Sequence, residues 1–125
     1  MRYLLDSHVL LWWAISDPTL SPMAIELISS PHSEILVSVV SVWELGLKRA
    51  RGKLKTPDNY LQLFQDNRFT TLSVNLDHAE AAFALPPVHS DPFDRMLVAQ
   101  AAVEQATLVT ADGKLADYGI PILRA

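Results

Sequence analysis

Four acidic residues are embedded in apolar sequence. They are Asp6 in Leu4-Leu5-Asp6, Glu44 in Val42-Trp43-Glu44-Leu45, Asp94 after Phe93, and Asp112 after Val109-Thr110-Ala111. Burying an unpaired charge is expensive. Carboxylates that converge also repel one another and raise one another's pKa values. A hard divalent cation resolves both problems, because Mg²⁺ or Mn²⁺ prefers oxygen ligands. Such a site can polarise a phosphate and generate hydroxide from water, and paired cations lie about 3.5–4 Å apart. The chain has no cysteine, which excludes thiolate zinc sites and cysteine nucleophiles. No Ser-His-Asp order and no Gly-rich phosphate loop stands out.

Each acid also has a purely structural reading. Asp6 can cap the turn after a strand. Glu44 can pair with Lys48 at i,i+4, worth only ~0.2–0.5 kcal/mol. Asp91-Pro92-Phe93-Asp94 reads as a helix start, with Asp91 at N-cap, Pro92 at N1 and Asp94 at N3. Asp112-Gly113 is a turn dipeptide. The argument for chemistry therefore depends on whether the fold brings the four together.

The elements that must do so alternate. Tyr3–Leu5, Glu34–Val37, Phe69–Val74 and Thr107–Thr110 read as strands, and Gly119–Leu123 as a short edge strand because it holds Pro121. Helical spacing is expected over 9–15, from Ser21-Pro22 through Ile28, over 38–51 up to Gly52, and over 58–65, 77–85 and 91–105. This pattern predicts an α/β fold with a parallel sheet. In such sheets ligands bind beyond the carboxyl ends of the strands. Asp6 ends the first strand and Asp112 follows the fourth.

With 125 residues and no linker or repeat, the whole chain, 1–125, is expected to form a single domain. Half of its residues are hydrophobic, which excludes disorder. No apolar run approaches the ~18 residues of a membrane-spanning helix. The N-terminus lacks a signal-peptide layout, so a soluble cytoplasmic protein is expected. The net charge of −4 argues weakly against a nucleic-acid partner. That argument applies to the metal-free chain, since two divalent ions would cancel it.

The residues also match a known family. The blocks are Leu4-Leu5-Asp6-Ser7-His8-Val9-Leu10-Leu11-Trp12, then Val37 through Leu45 with Gly52-Lys53-Leu54, then Leu85-Pro86 and His89-Ser90-Asp91-Pro92-Phe93-Asp94-Arg95-Met96-Leu97-Val98-Ala99-Gln100-Ala101, and finally Leu108 through Asp112. Their order and spacing resemble the PIN domain, and more narrowly the VapC toxins of toxin–antitoxin pairs. The resemblance implies a three-layer α/β/α sandwich around a parallel sheet of four or five strands. It implies Mg²⁺- or Mn²⁺-dependent cleavage of RNA, with Asp6, Glu44 and Asp94 as the main acidic positions and Asp112 as a fourth. It also implies a cognate antitoxin and a homodimer. Many relatives carry Thr-Asn after the first Asp, where this chain has Ser7-His8.

Other residues bear on the same reading. Lys48-Arg49-Ala50-Arg51-Gly52-Lys53-Leu54-Lys55 holds five of the ten bases in eight positions. It reads as a solvated helix end or as a contact for RNA phosphates through Lys48, Arg49, Arg51 and Lys53. Ser7 and Arg95 are further candidates for the RNA side. Arg95 could also neutralise the acids or form a surface ion pair. Trp43 is expected in the core. Of Trp12 and Trp13, one is expected in the core and the other partly exposed, suiting a dimer or antitoxin interface with Met23 and Ile25. His89 is expected to order the turn before the last long helix, and His32 and His78 to be loop and cap residues. Competing classes are a PIN-fold module that acts only by binding an antitoxin or operator DNA, and a phosphatase or receiver. The last two are disfavoured, because no second acid follows Asp6.

Overall fold

The computed structural model describes every residue except Asn67, and of Asp66 only the backbone. Five strands form one sheet: β1 (Arg2–Leu5), β2 (Glu34–Ser38), β3 (Phe69–Leu72), β4 (Thr107–Thr110) and β5 (Ile122–Arg124). All pairings are parallel and the order is β3-β2-β1-β4-β5. β5 pairs only with β4. It is the expected edge strand, shifted to begin just after Pro121.

Side chains alternate across the sheet. Leu5, Ile35, Val37 and Val109 point into one core, with Val9 and Leu10 of α1 (Ser7–Ala14) and Ala24 and Ile28 of α2 (Pro22–Ser29). Leu4, Leu36 and Leu108 point into the other, with Leu97, Val98 and Ala101 of α6 (Pro92–Glu104). The expected three layers are therefore present. In sequence between α2 and α6 come α3 (Val39–Ala50), α4 (Tyr60–Asp66) and α5 (Leu76–Ala84). α3 contributes Leu45 to the first core and Val40 to the second. It spans the end of the sheet and packs against both α1 and α6.

Helix starts follow local chemistry. Ser21 Oγ accepts the Ala24 amide with Pro22 in the first turn, and Asp91 Oδ1 accepts the amides of Phe93 and Asp94. Both had been anticipated. Gly52 follows α3 at φ +69°, the left-handed conformation that glycine adopts without strain. Several boundaries differ from expectation, among them that of α1, which begins at Ser7 because Asp6 caps it. α4 begins at Tyr60, because the Asp58 carboxylate instead pairs with Arg49 at 2.8 Å. β3 stops at Leu72, because Asn75 caps α5 and draws residues 73–75 out of the sheet. A 3₁₀ turn at Gly113–Tyr118, capped by Asp112, had no periodic signal.

Trp43 overturns an expectation. It is 61% exposed rather than core. α3 buries Val40, Ser41, Glu44 and Leu45, and this stripe leaves Trp43 outside it. Its ring instead meets Phe93 edge-on at 5.2 Å. Trp12 and Trp13 are both half-buried against the first core, Trp13 edge-on to Phe69 at 4.9 Å. His78 closes the cap of α5, as expected, and is wholly buried. His32 is exposed in the turn before β2.

Candidate functional site

β1 has β2 on one side and β4 on the other, so the order in which strands are added to the sheet reverses between β1 and β4, although the two run parallel. A crevice beyond the strand ends at such a switch point is where open α/β sheets bind ligands. The register places two side chains there. Leu5 pairs with Val109, and the Asp6 amide donates to the Val109 carbonyl at 3.1 Å. Asp6 and Thr110 therefore stand side by side one step beyond. The Thr110 hydroxyl donates to Asp6 Oδ2, and the Val9 amide donates to Oδ1 at 2.8 Å.

Asp6 thus caps α1, as its structural reading held, yet it is only 5% exposed with no ion-pair partner among the described residues. Burial pushes its pKa up, against the lowering effect of Thr110 and Val9. Thr110 went unnoticed in the sequence. The signal that could have found it is its place two residues before Asp112, on the strand beside the first.

Glu44 reaches the site from α3 and is 4% exposed. Ser7 Oγ donates to its Oε1 at 2.7 Å, and Lys48 Nζ lies 2.9 Å from its Oε2. Asp94 arrives from the first turn of α6. Its carboxyl is raised to about 6, first by burial, then by the charges of Asp91 and Glu44, with a smaller contribution from Asp6. Asp6, Glu44 and Asp94 come from three separate elements and repel one another electrostatically. Asp112 is more exposed, its carboxylate lying against His89. The ligand atoms of His89, Asp94 and Asp112 lie within 4.8 Å of one another. The four expected acids therefore lie toward the same end of the sheet, with Asp6, Glu44 and Asp94 in electrostatic reach of one another, while the group within ligand distance among the described residues is His89, Asp94 and Asp112.

The basic residues divide differently. Ser7 and Lys48 hold Glu44. Arg49 pairs with Asp58 and lies over the Tyr60 ring, 5.5 Å from its centroid, and so fixes the segment after α3. Arg95 points away from the acids. Its guanidinium donates to the carbonyls of Ala82, Leu85, Pro86 and His89, tying the end of α5 to the loop before α6. Its donors are engaged by backbone, which corrects the expectation that it neutralises the acids or meets RNA. Arg51 and Lys53 are exposed beyond α3.

The donor set fits a hard divalent cation. It is oxygen-rich, two of its carboxylates are nearly inaccessible, and the lysine at the site, Lys48, pairs with Glu44 and leaves Asp6 and Asp94 without a lysine or arginine partner among the described residues.

Comparison with known proteins agrees with this geometry. Residues 3–121 match the PIN domain family. The chain is 31% identical over 121 residues to Ribonuclease VapC22 of Mycobacterium tuberculosis, covering 94% of this chain and 92% of that one. Among solved structures it resembles VapBC2 from Rickettsia felis bound to a promoter DNA fragment, at 19% identity and a TM-score of 0.78, covering 99% and 98% of the two chains. It also resembles VapBC-5 from Mycobacterium tuberculosis, at 21% identity and a TM-score of 0.66, with the same coverage. A family match over nearly all of the chain, joined to a VapC relative of similar length, establishes that this chain belongs to the PIN-domain family.

Proposed function

We propose that the protein is a metal-dependent endoribonuclease, the toxin of a toxin–antitoxin pair. The observation that carries this reading is that Asp6, Glu44 and Asp94, from three separate elements, lie in electrostatic reach of one another beyond the strand ends. Mg²⁺ or Mn²⁺ is the proposed cofactor. Asp6, Glu44 and Asp94 are the residues that would hold it, with Asp112 at the rim. When bound, the cation supplies the charge that polarises a phosphodiester and activates water.

The chain's own residues prepare the site. Ser7 and Lys48 fix one oxygen each of Glu44, and Thr110 and the Val9 amide fix those of Asp6. The apolar setting of Asp6 and Glu44 excludes water and strengthens their interaction with a cation. Arg51 and Lys53, exposed beyond α3, are positioned to meet RNA phosphates. Lys48 and Arg49 stabilise the protein side of that surface.

Two partners complete the proposal. A cognate antitoxin is inferred from the likeness to VapBC complexes. The apolar surface at Ile25, 45% exposed and beside Trp12, Trp13 and Leu20, suits an amphipathic segment of it. A homodimer is inferred from the family. No helix among the described residues is long and apolar enough to cross a membrane.

Cleavage of RNA by the purified protein, with and without EDTA, tests the reading. Chelation, Asp6→Asn and Asp94→Asn should each abolish cleavage. Full activity in any of the three would overturn it.

A further inference from the structure

His89 lies in the loop between α5 and α6, 22% exposed, and faces the acidic crevice. Its Nε2 is 3.6 Å from Asp94 Oδ2 and 3.6 Å from Asp112 Oδ2. With a histidine and two acids this close, the simplest reading is a nitrogen ligand beside oxygen ligands. The other side of the ring argues otherwise. The Asp91 amide donates to His89 Nδ1 at 3.0 Å. Nδ1 must then present its lone pair, so the ring proton resides on Nε2. A ring nitrogen that carries a proton has no lone pair for a metal.

This arrangement is held from several directions. Asp91 Oδ1 accepts the Phe93 and Asp94 amides, which fixes the orientation of the Asp91 backbone. The His89 carbonyl accepts from Arg95 and from the Tyr118 hydroxyl, each at 3.4 Å. Freeing an Nε2 lone pair requires the other tautomer, which would put a proton on Nδ1 against the Asp91 amide. Asp112 adds a second constraint. Its Oδ1 accepts the Lys114 amide at 3.0 Å, and its Oδ2 faces His89.

We propose that His89 is a positioning residue whose Nε2–H, locked in place by the Asp91 amide, orients Asp94 and Asp112 from outside the metal's coordination sphere. At 3.6 Å the N–H is slightly beyond hydrogen-bond length, so a small movement of either carboxylate closes the contact. Histidine here governs carboxylate geometry, and the metal keeps an all-oxygen environment from the side chains. The proposal rests on the metal-dependent reading above and concerns residues of the same site.

Two measurements on the full chain decide it, with Mn²⁺ alone as the probe. Pulsed electron paramagnetic resonance of the Mn²⁺-loaded protein should show no directly bound nitrogen. Calorimetric titration of Mn²⁺ should show His89→Gln, which keeps an N–H donor at the position of Nε2, binding like the wild type. His89→Ala should lose roughly 10–100-fold in affinity. Thermal melts confirm that both variants are folded. A directly bound nitrogen that disappears in His89→Gln, with Gln and Ala equally impaired, would make His89 a ligand and overturn the proposal. Wild-type affinity in His89→Ala would also overturn it. A wild-type protein that binds no Mn²⁺ at all would instead refute the metal-dependent reading itself, and the role of His89 with it.

Discussion

The two ends of α6 carry carboxylates of almost equal exposure and opposite behaviour. Asp94 in the first turn is 22% exposed, and Glu104 in the last is 23% exposed. Asp94 is raised to about 6, while Glu104 is lowered below its ordinary value. Both meet a histidine whose Nδ1 accepts a backbone amide, from Asn75 for His78 and from Asp91 for His89. At Glu104 the contact is closed: His78 Nε2 lies at 2.9 Å and Arg2 Nη1 at 3.5 Å. At Asp94 it is open, at 3.6 Å, and three further acids crowd in. Asp94 is also set deeper in the protein despite its similar accessible area. A carboxylate with its partners supplied belongs to the scaffold. In the metal-dependent proposal, one held among like charges is where the cation would bind.

The contrast predicts a separation of effects. Asp94→Asn should reduce RNA cleavage by more than the roughly 100-fold that loss of an outer partner costs. The same change relieves repulsion, so the metal-free variant should melt no lower than wild type. Activity assays paired with thermal melts check both. A variant that loses stability and activity in parallel would place Asp94 in the scaffold with Glu104.

A pH experiment sharpens the comparison. Asp94 releases its proton near 3.8 when unfolded and at about 6 when folded. The unfolded chain therefore deprotonates first, and the metal-free protein should lose stability as pH rises through that interval, by at most about 3 kcal/mol. Asp6 is raised as well and acts in the same direction. Glu104 acts oppositely, its contribution being present above its ordinary value and lost as pH falls. Urea unfolding in EDTA should show greater stability at pH 5 than at pH 7. Mn²⁺ should remove the difference, and Asp94→Asn should flatten it.

Smaller effects belong to the paired end. Glu104→Ala leaves the wholly buried His78 without its carboxylate and removes one of the two that meet Arg2, which keeps Glu34 at 3.2 Å. It should cost about 1–2 kcal/mol in urea unfolding, with cleavage unchanged. At the surface, Arg51→Ala and Lys53→Ala should each lower the salt dependence of RNA binding by roughly 0.7 in the log–log slope, without altering the metal affinity.

The same contrast shows what the sequence could convey. Asp6 and Asp112 were legible as candidate site residues because strand ends are legible and parallel α/β sheets bind ligands there. Glu44 and Asp94 were legible through their apolar neighbours and the family pattern. The layers followed from alternating strands and helices. Trp43 was misjudged because α3 lies across the end of the sheet, and its buried stripe is chosen by α1 and α6 together. The partners of Arg95 were hidden because carbonyls at Ala82 and Leu85 become free only once α5 ends where it does. His89 looked like a turn residue. Its aim between Asp94 and Asp112 depends on a ring orientation that spacing does not encode.

The most direct test of the acidic site is a calorimetric titration of Mn²⁺ into the wild type, Asp94→Asn and Glu104→Gln. The account predicts binding to the wild type, unchanged binding to Glu104→Gln, and at least about ten-fold weaker binding to Asp94→Asn. No binding by the wild type, or equal affinity in all three proteins, would contradict it.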